Sequence, residues 1–114
     1  MKRFDVVWVD FGEENKPSEQ RGKRPAIVVS SDYINNSSPC VIVCPFTSQI
    51  KRTDLKFHVE LEWISYSGSK TKKSVVLCEQ VRTVSKTRIS KTAGFISREN
   101  QIKVQDALKA TLGL

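Results

Sequence analysis

The chain has 114 residues, and we expect one domain spanning residues 1–114. Hydrophobic residues make up 39% of it, which supports one modest core and excludes a disordered chain. Nineteen Lys and Arg against twelve Asp and Glu give a formal net charge of +7. This balance favours a polyanionic partner, which means nucleic acid, an anionic membrane surface or an acidic protein.

Membrane insertion and metal binding find no support in the sequence. No apolar run approaches the ~20 residues that span a bilayer, and the charged first five residues do not resemble a signal peptide. An odd number of cysteines in apolar surroundings, Cys40, Cys44 and Cys78, predicts reduced core residues and a cytoplasmic protein. The only histidine, His58, stands alone, so we expect no metal and no cofactor.

The first half of the chain predicts three strands, because its apolar runs are rich in β-branched and aromatic residues. They cover residues 6–11, 25–30 and 40–46. The second strand is apolar on both faces and is expected to be central, with Pro25 at its first position. Pro45 is expected to make the end of the third strand an edge or a bulge. The segments between them predict a long polar loop over 12–23 and a turn-rich connector over 32–39.

The second half opens with the clearest alternation, in which Phe57, Val59 and Leu61 share one face of a strand. Four segments follow: a polar loop over 65–73, a strand over 74–81, a helical turn over 83–88 and a short strand over 89–96. Ser97 is the predicted N-cap of a terminal amphipathic helix that ends at Gly113. The sequence therefore predicts a mainly β (α+β) fold, a small bent sheet or barrel with a helix packed on it.

Familiar hydrolase motifs are missing from the sequence. It has no Gly-x-Ser-x-Gly, no His-Glu-x-x-His and no pair of histidines, and His58 is interpreted as a surface residue. A metal-free alternative acts on RNA, whose 2′-hydroxyl can attack the adjacent phosphorus. An arginine would neutralise the phosphoryl oxygens, a threonine would donate to them, and a carboxylate such as Glu79 or Glu19 would accept the proton. DNA lacks the 2′-hydroxyl and would not be cut.

Several segments together resemble the MazF/PemK toxin family in order and spacing. They are residues 6–11, 18–30, 43–49, 58–61, 74–84 and 107–114. Two of them are specific in combination, Glu19-Gln20-x-Gly22-x-Arg24-Pro25 and Glu79-Gln80-x-Arg82-Thr83. The resemblance implies an SH3-like or CcdB-like β-barrel with a C-terminal amphipathic helix. It also implies a homodimer and the toxin of a type II toxin–antitoxin pair.

The same resemblance implies an activity and the residues that carry it. The expected activity is that of an mRNA interferase: a sequence-specific, ribosome-independent, metal-independent endoribonuclease that cuts single-stranded mRNA. Arg24 and Thr47 take the positions of the family's catalytic residues, and some members use an acidic residue where Glu79 stands. A cognate antitoxin is the expected protein partner, with DNA contacted only indirectly through it.

Further residues are candidate RNA contacts: Ser18, Glu19, Gln20, Lys23, Ser48, Gln49, Gln80 and Arg82. The glutamine amides could read base edges, while the Lys and Arg at positions 51, 52, 70, 72 and 73 are expected to form a phosphate-attracting rim. Trp8 and Phe46 are interpreted as core residues, and Trp63 and Tyr66 as candidate interface residues.

Three positions depart from the family pattern. Phe4 and Pro17 stand where glycine is common, and Leu77 stands where some members carry a catalytic arginine. Pro17 is expected to stiffen the first loop, which affects RNA access and loop closure. The identity of the general base therefore stays open. Two other functions also stay open: a CcdB-like toxin that poisons a topoisomerase by binding it, and a non-catalytic basic RNA-binding module.

Overall fold

The computed structural model describes residues 1–13, 19–49, 52–68 and 71–114. Within them the chain forms seven strands: β1 (Asp5–Asp10), β2 (Lys23–Val28), β3 (Cys40–Thr47), β4 (His58–Ser65), β5 (Thr71–Leu77), β6 (Arg82–Ser85) and β7 (Ile89–Phe95). Two helices accompany them, α1 (Asp32–Ser37) and α2 (Arg98–Leu112). Two single 3₁₀ turns lie at Cys78–Gln80, called here the 78–80 turn, and at Lys86–Arg88.

The strands form one antiparallel sheet in the order β2-β1-β7-β4-β5-β3-β6. An additional pairing joins β2 to β3, so six of the strands follow one another in a closed ring and β6 continues from β3. The central position of β2, between β1 and β3, is confirmed. The predicted mainly β fold with a C-terminal helix is confirmed as well.

Both faces of the first three strands are buried, which explains their nearly continuous apolar runs. Successive side chains of a strand point to opposite faces, so Val6 enters one hydrophobic cluster and Val7 the other. The first cluster includes Phe46 and Trp63 and is covered by Val104 and Ala107 of α2. The second is made almost wholly of valines from β1, β2, β3 and β6.

The terminal helix has the predicted ends. The Ser97 hydroxyl accepts a hydrogen bond from the Asn100 amide at 3.3 Å, and Gly113 closes the helix with a φ of 72°. A left-handed residue at this position favours glycine. Both assignments made from the sequence, the N-cap and the stop, are confirmed.

The connector after β2 is helical rather than turn-rich. Ser31 caps α1 by accepting from the Ile34 amide, and Asn35 is buried with its amide donating to the Ser30 carbonyl at 3.0 Å. Asn and Ser are typical of both turns and helix caps, so their presence alone did not distinguish one short helix from a series of turns.

Both proline interpretations were wrong. Pro25 is inside β2 and pairs with Trp8, because the β1–β2 ladder runs on to Asp10 and Lys23. Pro45 is buried within β3, which continues to Thr47. On one side β3 pairs with β6 through residues 40–43 and with β5 through 46–47, so the missing amide hydrogen at 45 interrupts neither stretch.

The segment 74–88 also differs from the prediction. β5 ends at Leu77, the 78–80 turn follows, and residues predicted as a helical turn form β6 and the second 3₁₀ turn. The reason is that β5 and β6 pair with different parts of β3, so the chain must step from one part to the other. Trp63 lies in the core, 2% exposed, rather than at an interface.

The cysteines agree with a reduced core. All three are free, and Cys44 and Cys78 are buried. A hydrogen bond to the Cys78 thiol, together with burial, raises the pKa of Cys44, which keeps that thiol protonated and unreactive.

Candidate active site

The loop between β1 and β2 is closed at its base by backbone hydrogen bonds. The Phe11 amide donates to the Gly22 carbonyl at 2.9 Å, and the Gly22 amide donates to the Gly12 carbonyl at 2.7 Å. Gly12 and Gly22 have φ values of 89° and 78°, which other residues rarely adopt. This closure brings residues 19–21 beside the start of β2.

The guanidinium of Arg24 is held by that loop. Its Nε donates to the Arg21 carbonyl at 2.9 Å, and its Nη1 donates to the Gln20 side-chain oxygen. Partial burial lowers the pKa of Arg24, but an arginine remains a cation at neutral pH. Two of its five N–H groups are engaged in these contacts, which fix the plane of the fork.

Gln20 also connects the loop to the 78–80 turn. Its backbone amide donates to the side-chain oxygen of Gln80 at 2.9 Å. The structure therefore brings three of the candidate site residues together in one chain of contacts, Arg24–Gln20–Gln80.

Thr47 lies on the strand next to Arg24. The β2–β3 ladder pairs Ala26 with Pro45, and the same register continued by two residues places Arg24 opposite Thr47 on one face. Thr47 is 6% exposed, and its hydroxyl oxygen accepts from the Gln49 amide at 3.2 Å. Because that oxygen acts as an acceptor there, the hydroxyl hydrogen can be donated to a ligand.

A cleft of about 360 Å³ opens beside Arg24. Its lining includes Trp8, Lys23, Arg24, Phe46, Ser48 and Lys73. Trp8 is half-buried and forms a wall of this cleft, so its interpretation as a core residue was wrong, whereas Phe46 is 2% exposed. Thr47 and Glu79 are not among the residues that line this cleft.

The Glu79 carboxylate contacts the histidine. Its Oε2 lies 2.6 Å from Nε2 of His58, whose Nδ1 lies 2.7 Å from the Arg52 carbonyl oxygen. The His58 side chain is 11% exposed, so its interpretation as an isolated surface residue was wrong. Pairing of β4 with β5 sets His58 opposite Leu77, two residues before Glu79, and this register was the signal that sequence reasoning missed.

The remaining candidates are spread around the cleft and the loop. Glu19, Lys23, Ser48 and Gln49 are exposed. Arg82 is exposed too, and its guanidinium lies 5.4 Å from the centre of the Phe11 ring at the base of the loop. Four residues named in the sequence analysis lie outside the described residues: Pro17, Ser18, Lys51 and Lys70.

Two other kinds of site were searched for in the described part of the chain. It contains no group of three or more His, Cys, Asp or Glu that could hold a metal ion. None of its helices combines the length and the apolar character needed to cross a bilayer.

Comparison with known proteins gives the family. The model of PemK-like, MazF-like toxins of type II toxin–antitoxin systems matches residues 2–112. The chain is 38% identical over 114 residues to the endoribonuclease MazF of Staphylococcus epidermidis, covering 100% of this chain and 92% of that protein. MazF of Deinococcus radiodurans has a TM-score of 0.78 at 23% identity, covering 100% and 97% of the two chains.

A second solved structure, a mycobacterial endoribonuclease in complex with its cognate antitoxin, has a TM-score of 0.77 at 23% identity and covers 100% and 96% of the two chains. These likenesses agree with the ring of strands and the terminal helix. The family match over nearly the whole chain, with the full-length similarity to a named MazF, confirms the resemblance drawn from the sequence motifs. The chain belongs to the family of PemK-like, MazF-like toxins of type II toxin–antitoxin systems.

Proposed function

We propose that this toxin is an endoribonuclease that cleaves single-stranded RNA by attack of a 2′-hydroxyl on the adjacent phosphorus. The observation that carries the proposal is the fixed guanidinium of Arg24, with Thr47 on the neighbouring strand two residues beyond the last pair of the β2–β3 ladder. The 2′-oxygen loses its proton to a base and bonds to phosphorus, while the bond from phosphorus to the 5′-oxygen breaks. That oxygen takes up a proton, so the products carry a 2′,3′-cyclic phosphate and a 5′-hydroxyl.

Arg24 and Thr47 act on the phosphoryl group. The planar fork of Arg24 binds the nonbridging oxygens, whose negative charge grows as the fifth bond to phosphorus forms. The Thr47 hydroxyl donates to the same group, since its oxygen already accepts from the Gln49 amide. All the charge stabilisation that this scheme needs comes from protein groups, so the reaction requires no metal.

Two carboxylates are candidates for the proton acceptor. Glu19 is exposed in the loop beside Gln20, while Glu79, the third proposed catalytic residue, is held against His58. Replacing each by glutamine removes its basicity at nearly constant size. The general base is the carboxylate whose glutamine variant loses the rise in kcat with pH that deprotonation of a base produces.

The cleft beside Arg24 is the proposed path of the RNA. Lys23 offers a cation there, and the exposed edges of Gln49 and Ser48 offer hydrogen-bonding groups to unpaired bases. Glu19, Gln20, Gln80 and Arg82, with Ser18, complete the proposed contact set. Because the toxin itself contacts the bases in this scheme, its cleavage of mRNA is sequence-specific and needs no ribosome.

The proposed setting is a cytoplasmic homodimer neutralised by a cognate antitoxin. The relative from S. epidermidis is named an endoribonuclease, and one structural neighbour was solved with its antitoxin. The net charge of +7 suits an acidic antitoxin segment that competes with RNA.

The test is cleavage of single-stranded RNA by the purified protein with excess chelator present. We expect a 5′-hydroxyl at each cut and no cutting where the cleaved nucleotide is 2′-deoxy. Arg24→Ala should abolish cleavage, and Arg24→Lys should recover little, because lysine lacks the bidentate fork.

Three outcomes would overturn the proposal. They are full activity of Arg24→Ala, loss of activity on adding the chelator, and binding of every RNA without cleavage. Sequencing the 5′ ends of the fragments would give the recognised bases.

A further inference from the structure

We propose that His58 is a positioning residue for the RNA cleavage, acting through Glu79 and the 78–80 turn on Gln20 and Arg24. The inference rests on the proposed function for its catalytic consequence, but the contacts that carry it lie within the protein. It assigns a role to the one histidine of the chain, which touches none of the three proposed catalytic side chains except Glu79.

Both nitrogens of His58 face hydrogen-bond acceptors. Nδ1 lies 2.7 Å from the Arg52 carbonyl oxygen, and Nε2 lies 2.6 Å from a carboxylate oxygen of Glu79. A carbonyl and an ionised carboxylate only accept, so both contacts are hydrogen bonds only when both ring nitrogens carry protons. The arrangement is therefore that of an imidazolium paired with a carboxylate. The edge of the neighbouring Phe57 ring packs against the imidazole, with 4.9 Å between ring centres.

Charged groups face the imidazole from two sides in the described part of the chain. Glu79 faces it from the 78–80 turn, and the ion pair of Arg52 with Asp54 lies on the segment before β4, with 2.7 Å between its atoms. β5 contributes Leu77, which is opposite His58 and uncharged. Asp54 is paired with Arg52 and also interacts electrostatically with His58, whereas Glu79 is the carboxylate that His58 contacts directly.

The 78–80 turn transmits the position of Glu79 to the loop. It is three residues long and closed by a bond from the Val81 amide to the Cys78 carbonyl at 3.2 Å. Its first amide, that of Cys78, donates to the carbonyl of Phe57 at 3.0 Å. The turn therefore contacts two consecutive residues. It is held to Phe57 by a backbone hydrogen bond and to His58 by the side-chain contact of Glu79.

Gln80 is next in sequence to Glu79. Its side-chain oxygen accepts a hydrogen bond from the backbone amide of Gln20 at 2.9 Å. Gln20 in turn accepts from the guanidinium of Arg24. In a turn of three residues a displacement of Glu79 displaces Gln80 as well. The contacts therefore run without interruption from His58 to Arg24.

Loss of the imidazolium proton breaks this series at its first contact. With Nδ1 donating to the Arg52 carbonyl, a neutral ring presents the Nε2 lone pair to the Glu79 carboxylate, which repels it. Glu79 then leaves its position and Arg24 loses part of its support. The positioned state therefore requires a proton on each ring nitrogen of His58.

The first test needs no variant of His58. Because the chain has one histidine, its imidazole NMR signals are unambiguous. In a pH titration, we expect the Gln20 amide and Arg24 Nε–H signals to shift with the same midpoint pH as the imidazole signals. In Gln80→Ala the imidazole should still titrate while the Gln20 amide no longer follows it. The inference is overturned if the Gln20 and Arg24 signals of the parent do not change as His58 is titrated, whether or not the protein cleaves RNA.

The second test separates positioning from folding by kinetics. His58→Ala should lower kcat by about 10- to 100-fold with KM changed by less than about threefold, as expected when a reacting group is misplaced by a fraction of an ångström. His58→Gln keeps an N–H for Glu79 and should recover part of kcat. Lys103→Ala, on the outer face of α2, is the control and should match the parent.

The outcomes separate the two proposals. If the parent cleaves RNA and His58→Ala matches it in kcat at every pH, the role of His58 is refuted while the endoribonuclease stands. If the parent cleaves no RNA, the proposed function fails, and the NMR coupling alone decides whether His58 positions the loop.

Discussion

The backbone amide of Gln20 donates to the side chain of Gln80, 60 residues away, at 2.9 Å. This bond links the loop that holds Arg24 to a turn that belongs to the β5–β6 connection. The loop is otherwise fastened at its base, by the bonds around Gly12 and Gly22. Gln80 thus restrains the side of the loop that contacts the guanidinium.

Removal of Gln80 should loosen the loop near Gln20. In Gln80→Ala we expect hydrogen exchange of the Gln20 amide to rise about 3- to 10-fold, as a lost bond of about 1 kcal/mol predicts. Gln80→Glu is the matched control, because its carboxylate still accepts from that amide. Equal exchange rates in the alanine variant and the parent would contradict the restraint.

Thr47 offers a test of the donor to the phosphoryl group. Thr47→Val removes the hydroxyl and keeps the shape, so the buried position should stay packed while kcat falls about 10²- to 10³-fold, the usual effect of one lost transition-state donor. Thr47→Ser keeps the hydroxyl and should retain most of the rate. Single-turnover cleavage of saturating RNA measures both, and equal rates for the valine and serine variants would exclude a role for the hydroxyl.

The parts of the fold predicted correctly from sequence are those decided by local chemistry. The alternation of Phe57, Val59 and Leu61 gave a strand, and the apolar run from Ala26 gave a central strand. The cap at Ser97 and the glycine at 113 gave the helix ends. In each case a few consecutive residues carry the whole signal.

Most of the errors depend on which strands become neighbours. Pro45 is tolerated within β3 because two different partners meet there, and β6 exists because the chain returns to the same strand. The contact between His58 and Glu79 joins positions 21 residues apart through the β4–β5 register. Composition and periodicity do not specify such pairings. The family motifs identified Arg24, Gln20 and Gln80 as site residues but did not reveal the contacts between them.

Asp32 should make the free energy of unfolding depend on pH. Its carboxylate accepts from the Arg3 amide at 2.8 Å and from the Asn35 side chain at 3.3 Å, and the first of these bonds is the main reason that its pKa lies below the ordinary value. A carboxyl with a lowered pKa in the folded state stabilises it above the ordinary pKa of 3.8 and loses that contribution as the pH falls further.

The measurement is urea unfolding of the parent and of Asp32→Asn at pH 7 and at pH 3. The parent should lose more stability than the variant between the two pH values, because only the parent has this carboxylate to protonate. An equal loss in both proteins would show that the bonds of Asp32 do not favour its ionised form.

Gly94 of β7 pairs with β1 on one side and with β4 on the other. A Cβ built there would lie 2.1 Å from the Ile64 carbonyl oxygen and 2.8 Å from the Trp63 ring. Gly94→Ala should therefore force the strands apart and lower the free energy of unfolding by about 3 kcal/mol, at the upper end of the cost of overpacking. Gly68→Ala is the control, since nothing lies within 4 Å of its Cβ, and denaturant titration of both should separate them clearly.

Lys23 should contribute to RNA affinity through charge alone. It is exposed at the cleft beside Arg24, where its ammonium can neutralise one phosphate of a bound strand. For single strands each such contact adds about 0.7 to the slope of log K against log salt concentration, so Lys23→Ala should flatten that slope by about this amount for every RNA sequence.

The probe is an RNA with a 2′-deoxy nucleotide at the cleavage site, which binds without reacting. Lys103→Ala removes the same charge from α2 and should leave the slope unchanged, because Lys103 is not among the residues that line the cleft. A slope that Lys23→Ala does not alter would place the RNA backbone away from this end of the cleft.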